Sequence, residues 1–166
     1  MIGMGFYAYR LLNRQESTPA TPAASAPVSG PQQRAVMMLA SGESGNLEIR
    51  EVLSPLPEDS SLRAQELIRL LLNAYSGPNS RHPLPGAAEV RQVFLLQDGT
   101  AVLDMNAAFA DQHPSDAKTE QLTVESMVQT LCRNLPQIKR VRILVEGQER
   151  ETLAGHLDLR KPFPAR

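Results

Sequence analysis

The chain has 166 residues, a formal net charge of −1, no tryptophan and only seven aromatic residues of the Phe and Tyr types (4 and 3). That balance offers a polyanion no bulk attraction and few faces on which bases could stack, so no nucleic-acid partner is expected. Cys132 is the single cysteine, which excludes an internal disulfide and a cysteine-rich metal site.

The first stretch, MIGMGFYAYRLL (1–12), is apolar apart from Arg10. As a helix, about 12 residues at ~1.5 Å each reach ~18 Å, well short of the ~30 Å hydrocarbon layer. Phe6, Tyr7 and Tyr9, followed by Arg10 and Arg14, have the composition of the interfacial end of a span. Residues 1–14 therefore read as a partial membrane anchor, a degenerate signal-like segment, or an unstructured apolar start. The stretch holds no cysteine for lipid attachment. Residues 15–33, QESTPATPAASAPVSGPQQ, form a Pro/Ala/Ser/Thr-rich linker without apolar period. An apolar stub, a tether and then a globular domain (34–163) is the layout of an envelope-anchored protein.

Within that domain, 34–40 and 46–53 read as strands of a hairpin joined by the glycine-containing loop 41–46. Asp59, Ser60 and Ser61 are candidate caps for a helix over 62–75, whose stripe of Leu67, Leu70, Leu71 and Ala74 is widened by Ile68, Leu72 and Tyr75. Arg63, Glu66, Arg69 and Asn73 fall on its wet side, and Ser76-Gly77-Pro78 ends it. A loop follows over 76–89 and contains Arg81 and His82. Residues 89–105 read as a hairpin turned at Asp98-Gly99. The unbroken run Val93–Leu96 predicts a strand buried on both faces, near the centre of the sheet.

Residues 106–116 read as a loop and 119–135 as a second helix with Val124, Met127, Val128, Leu131 and Leu135 inward. A strand over 140–145, a turn at Glu146-Gly147 and a short return strand over 149–153 complete the order strand-strand-helix-strand-strand-helix-strand-strand. This predicts an α+β fold, a mostly antiparallel sheet built from hairpins with two helices packed on one face. Neither glycine-rich phosphate motif is present.

The stretches VFLLQDGTAVLDMNAAF (93–109) and EQLTVESMVQTLCRNLPQIKRVRILVEGQERETLAGHLDLRKPF (120–163) resemble the GerMN domain, the module of GerM-like sporulation and spore-germination proteins and of other bacterial envelope proteins. The helix end LLL-x-x-Y-S-G-P (70–78) and Pro83-Leu84-Pro85-Gly86 fit the same pattern, so the resemblance runs over about 34–163. It implies a noncatalytic domain with no cofactor, held at the bacterial cell envelope with its folded part extracytoplasmic. The membrane would be met through the N-terminal segment, and the partners would be other envelope proteins or further copies of the chain.

The polar residues are weighed against that frame. His156 and Asp158, two apart, would share a side of a strand and could present two metal ligands. A catalytic zinc needs a third, and the other histidines, His82 and His113, fall in loops. The architectural alternative has Gly155 bending the chain, His156 and Asp158 bonding to loop backbone, and Leu153, Leu157 and Leu159 packing inward. Asp104 reads as a cap or turn residue, Thr123 and Thr130 as surface or back-bonding residues, and Cys132 as a buried thiol. Lys139, Arg140, Arg142 and Arg150 form a basic cluster that is either a solvated face or a partner face. No catalytic, cofactor or metal residue is assigned. The possible partner or ligand contacts are Arg81, His82, Asp104, Arg140, Arg142, Arg150, His156 and Asp158. The expected role is an interaction or scaffold module. The alternative is an extracytoplasmic binder of cell-wall glycan or a small ligand, framed by loops 76–89 and 106–118.

Overall fold

The structure, a computed structural model, describes residues 30–166. The expected anchor segment, 1–14, and most of the expected linker, 15–33, lie outside these residues. The elements run β1 (Gln32–Ser41), β2 (Asn46–Pro55), α1 (Ser60–Ser76), β3 (Val90–Leu95), β4 (Thr100–Met105), α2 (Ala107–Asp111), α3 (Ala117–Asn134), β5 (Arg140–Val145) and β6 (Phe163–Pro164). The fold is α+β. Among the described residues no helix is long and apolar enough to cross a membrane.

β1 and β2 pair antiparallel from Gln32↔Pro55 to Ser41↔Asn46 and make a two-stranded sheet of their own. The other sheet has the order β3-β4-β5-β6. Two sheets thus replace the single one expected, and β4 and β5 run parallel. The parallel pair follows from the connection: α2 and α3 lie between β4 and β5, and a crossover of that length returns the chain to the same end of the sheet.

Local chemistry explains the boundaries. Asp59 caps α1 by accepting the Leu62 N–H at 2.9 Å, and Asp116 caps α3 by accepting the Thr119 N–H at 2.8 Å. The β3–β4 turn closes with the Gly99 N–H on Leu96 O and the Leu96 N–H on Thr100 O, and Gly99 takes φ 84. This is a three-residue hairpin loop with glycine at the left-handed position. A Cβ there would also come within 3.0 Å of Gln137 O.

Four local expectations change. β3 is an edge strand rather than a central one: Val93 is buried, but Phe94 is 44% exposed and Leu96 51%. The inner strand is β4, in which Ala101, Leu103 and Met105 are fully buried. Residues 106–116 contain the short helix α2, capped by Asn106. No return strand forms over 149–153; Thr152 makes an isolated bridge to Asp158, and β6 occupies the sheet position beside β5. Finally, Glu66, Thr123 and Thr130 are buried while Ala74 is exposed, because α1 and α3 each meet neighbours on more than one side; Thr123 does lie within back-bonding distance of Thr119 O, one of its two expected roles. α1 packs against β3, β1 and α3, and α3 packs against β1, β2 and α1. One apolar cluster joins both sheets, with Met37, Leu67, Leu103, Met127, Leu131 and Ile143 among its members.

Candidate functional site

The buried face of α3 carries two polar side chains, Thr123 and Glu120, that organise the surrounding loops. Thr123 Oγ1 lies 2.6 Å from His82 Nε2 and 2.8 Å from His113 Nε2. His113 Nδ1 is 2.8 Å from Pro114 O, and a carbonyl only accepts, so that nitrogen carries the proton. The neutral His113 ring then accepts at Nε2 from the Thr123 hydroxyl, and His82 donates from its Nε2 to the Thr123 oxygen. Thr119 O, 3.0 Å from the same hydroxyl, is a second acceptor. Burial pushes His82 down to about 4, with repulsion from His113 adding to it. Burial also lowers His113, against the opposing pull of Pro114 O and Glu120. Both rings are neutral near neutral pH, which the hydrogen-bond chain requires.

One turn earlier, Glu120 is fully buried and holds the loop after β5. Its carboxylate accepts the N–H groups of Ala154 (3.1 Å), His156 (3.1 Å) and Leu157 (2.8 Å), and His156 Nδ1 lies 2.8 Å away. Burial alone would raise its pKa. The Leu157 N–H, the His156 ring and the two remaining N–H groups outweigh that and hold it below the usual glutamate value. Gly155, at φ 117, supplies the bend. The stretch ETLAGHLDL is therefore a loop clasped by a carboxylate, with Leu153 and Leu159 inside the core.

The nominated residues do not converge. His82 is 2% exposed and committed to Thr123. His156 faces Glu120, whereas Asp158 accepts from the Arg160 N–H and guanidinium, which hold its carboxyl down at about 2. Asp104, at the end of β4, accepts the Gly147 N–H at 2.7 Å and sits 3.4 Å from Arg91, which also reaches Glu146 at 3.0 Å. This braces a tight turn in which Glu146 (φ 52) and Gly147 (φ 73) are both left-handed. Two of the four residues of the basic cluster are paired: Arg142 bonds Glu149, and Arg150 bonds Asp111 at 2.7 Å. Arg140 lies on the exposed side of β5. Arg81 pairs with Glu48 at 3.3 Å and lines a polar concavity of about 260 Å³ with Ser41, Arg50, Tyr75 and Ser80. Among the described residues, no group of three or more His, Cys, Asp or Glu side chains is placed to hold a metal ion.

Sequence reasoning missed the residues that matter most to this arrangement: Glu120, Asn134 and the Tyr75 hydroxyl. Asn134 Oδ1 accepts the Val36 N–H (2.9 Å) and its Nδ2 donates to Val36 O (2.7 Å); Thr130 Oγ1 accepts the Met38 N–H (3.0 Å) and Tyr75 OH the Ala40 N–H (2.7 Å). Side chains from two helices thus occupy the edge of β1 that β2 does not use. A carboxylate near the start of an otherwise apolar stripe was the available signal for Glu120; for Asn134 and Tyr75 there was none.

A family model described as Germane, sporulation and spore germination, matches residues 9–151. The chain belongs to the Germane family. The matched span ends at the first residue of the loop that Glu120 clasps. Among solved structures, a Clostridium perfringens protein described as a candidate lipoprotein is similar to the Germane domain with a TM-score of 0.55 and 24% identity, over 84% of this chain and 91% of that one. The first GerMN domain of the Bacillus subtilis sporulation protein GerM gives 0.58 and 22%, over 81% and 98%. Its tandem GerMN domains give 0.58 and 19%, over 82% and 47%, as one copy aligned on a pair would. At these identities the likenesses establish the shared Germane fold. No curated protein sequence matches the chain.

Proposed function

We propose that this Germane domain is a noncatalytic interaction module displayed at the bacterial cell envelope, carried on the N-terminal segment as anchor and tether. The observation that supports it most is the contrast between buried chemistry and exposed apolar surface. His82, His113 and Glu120 are buried and spent on internal hydrogen bonds. Ile49 (62%), Leu53 (71%) and Phe94 (44%) project outward from strands. A catalytic site wants the reverse: reactive groups facing a cleft, and apolar groups behind them. The candidate lipoprotein and GerM likenesses favour the envelope setting. The test is site-specific photocrosslinking in cells, with the photoreactive residue placed at Leu53 or, as a control, at Gln112. Protein adducts at Leu53 and none at Gln112 are expected. Absence of protein adducts at both positions overturns the reading.

The polar concavity beside Arg81 supports a second reading, an extracytoplasmic site for cell-wall glycan or another small polar ligand. Retention on purified peptidoglycan that Arg81→Ala abolishes would favour it. Passage through at the level of an unrelated control protein would remove it.

A further inference from the structure

The two edges of the β1–β2 hairpin are treated differently, and the difference points outward. On β1, the N–H groups of Val36, Met38 and Ala40 face away from β2 and are taken by α3 and α1 side chains. In an antiparallel ladder, residues that face away from the partner sit in non-hydrogen-bonded pairs, and the residue opposite faces away as well. The residues opposite Val36, Met38 and Ala40 are Glu51, Ile49 and Leu47. Their N–H and C=O groups therefore line the outer edge of β2, where among the described residues no strand pairs.

The remaining strand edges are short or covered. β6 has two residues, one of them Pro164. β3 packs against α1 and is broken by an irregularity between Val90 and Gln92, with the Arg91 carbonyl accepting from Gln65. β2 is ten residues long, ends at a proline and carries exposed Ile49 and Leu53. A long, uncovered edge with apolar side chains is a template for an added strand.

The sequence of this edge specifies what could add to it. A symmetric antiparallel pair of identical strands must place one residue opposite itself, since opposite residues share a face and a hydrogen-bonding state. Centring on Glu48, Arg50 or Glu51 sets like charges face to face. Centring on Ile49 sets Ile49 against Ile49, Glu48 against Arg50 on both sides of the axis, and Leu47 against the aliphatic part of Glu51. Ile49 also lies at an outward-facing backbone position, so this register forms hydrogen-bonded pairs at its centre. The exposed Glu48–Arg81 pair, at 3.3 Å, contributes little and gives way readily.

We infer that β2 binds a second copy of this chain edge to edge about a two-fold axis at Ile49, making one four-stranded sheet ordered β1-β2-β2-β1. This rests on the interaction reading above and narrows it to self-association.

The test uses the full chain in mild detergent, with sedimentation velocity across a concentration series. A monomer–dimer equilibrium is expected. Glu48→Arg and Arg50→Glu should each weaken it by about tenfold or more, because each puts like charges opposite one another twice. The double variant should restore it. So should mixing the two single variants, which pairs a chain bearing two basic residues with one bearing two acidic residues. Unchanged circular dichroism for each variant confirms that the fold is intact. A chain that stays monomeric at several hundred micromolar (on the order of the weakest useful self-affinity), or a dimer indifferent to these charges, overturns the proposal. A monomer that still gives protein adducts at Leu53 in cells would sink self-pairing and leave the interaction reading standing.

Discussion

At the scale of residues, the hydroxyl of Thr123 does more than its neighbours on α3 suggest. It stands between two neutral histidines, and removing it leaves a buried donor and a buried acceptor without partners. Thr123→Val keeps the shape, yet is expected to cost about 2 kcal/mol in urea unfolding. The same cluster sets a pH dependence. His82 is held at about 4 in the fold, whereas an unfolded histidine titrates near its ordinary 6.5. Between those values the unfolded chain binds the additional proton, so stability rises with pH. The histidine contribution is complete above pH 6.5 and is lost as pH falls through that window towards 4; His113, shifted the same way, adds to it. Glu120 acts at more acid pH: its carboxylate, depressed below the usual glutamate value, stabilises above that value and fails only as pH drops through the lowered one. The urea midpoint should therefore decline from pH 6.5 to 4 and fall further below, and His82→Gln should flatten the upper part. A midpoint constant from pH 7 to 4 would contradict the neutral pair.

At the scale of elements, β1 draws three of the bonds on its outer edge from α3 side chains. Asn134 alone makes three bonds, two of them to Val36. Asn134→Ala is expected to destabilise by about 1–2 kcal/mol, since it strands a donor and an acceptor on a half-buried edge. Amide exchange at Val36 and Met38 should accelerate more than at Val93 in β3, which would separate loss of this bracing from a general softening. The elements also show where sequence reading reached its limit. An apolar run marked β1, alternation marked β2, helical spacing marked both long helices, and the Asp-Gly pair marked its hairpin, because each is a local signal. The run Val93–Leu96 was misplaced because four consecutive apolar residues do not distinguish an inner strand from an edge whose outer side chains are left exposed. The return strand over 149–153 was misread for another reason: it has strand composition, but the Leu153 N–H bonds to Leu157 O inside a loop, and Ala154, His156 and Leu157 just beyond it are held by Glu120, more than thirty positions away along the chain.

At the scale of the whole molecule, the two sheets share no strand and yet enclose one apolar cluster, bridged by α1 and α3. The chain should unfold in a single transition, with helix loss followed by far-ultraviolet circular dichroism coinciding with tyrosine fluorescence, to which Tyr75 contributes from within the core. A separate early transition would mean that the hairpin detaches before the second sheet, contrary to a common core. The hairpin also gives the molecule two unlike edges: β1 is braced by side chains from both long helices, whereas among the described residues no strand pairs with the outer edge of β2.

The sequence by itself determined the α+β class, the order of the main elements, the cap of α1 and the turns, because periodicity, capping and glycine placement act over a few residues; its longer motifs carried the family resemblance. Only the tertiary structure decided that there are two sheets, that β4 and β5 run parallel, and that buried Glu120 and Thr123 and half-buried Asn134 are the polar anchors. Those outcomes depend on which distant backbone groups a side chain meets, and a carboxylate or amide carries no mark of that meeting until the chain has closed around it.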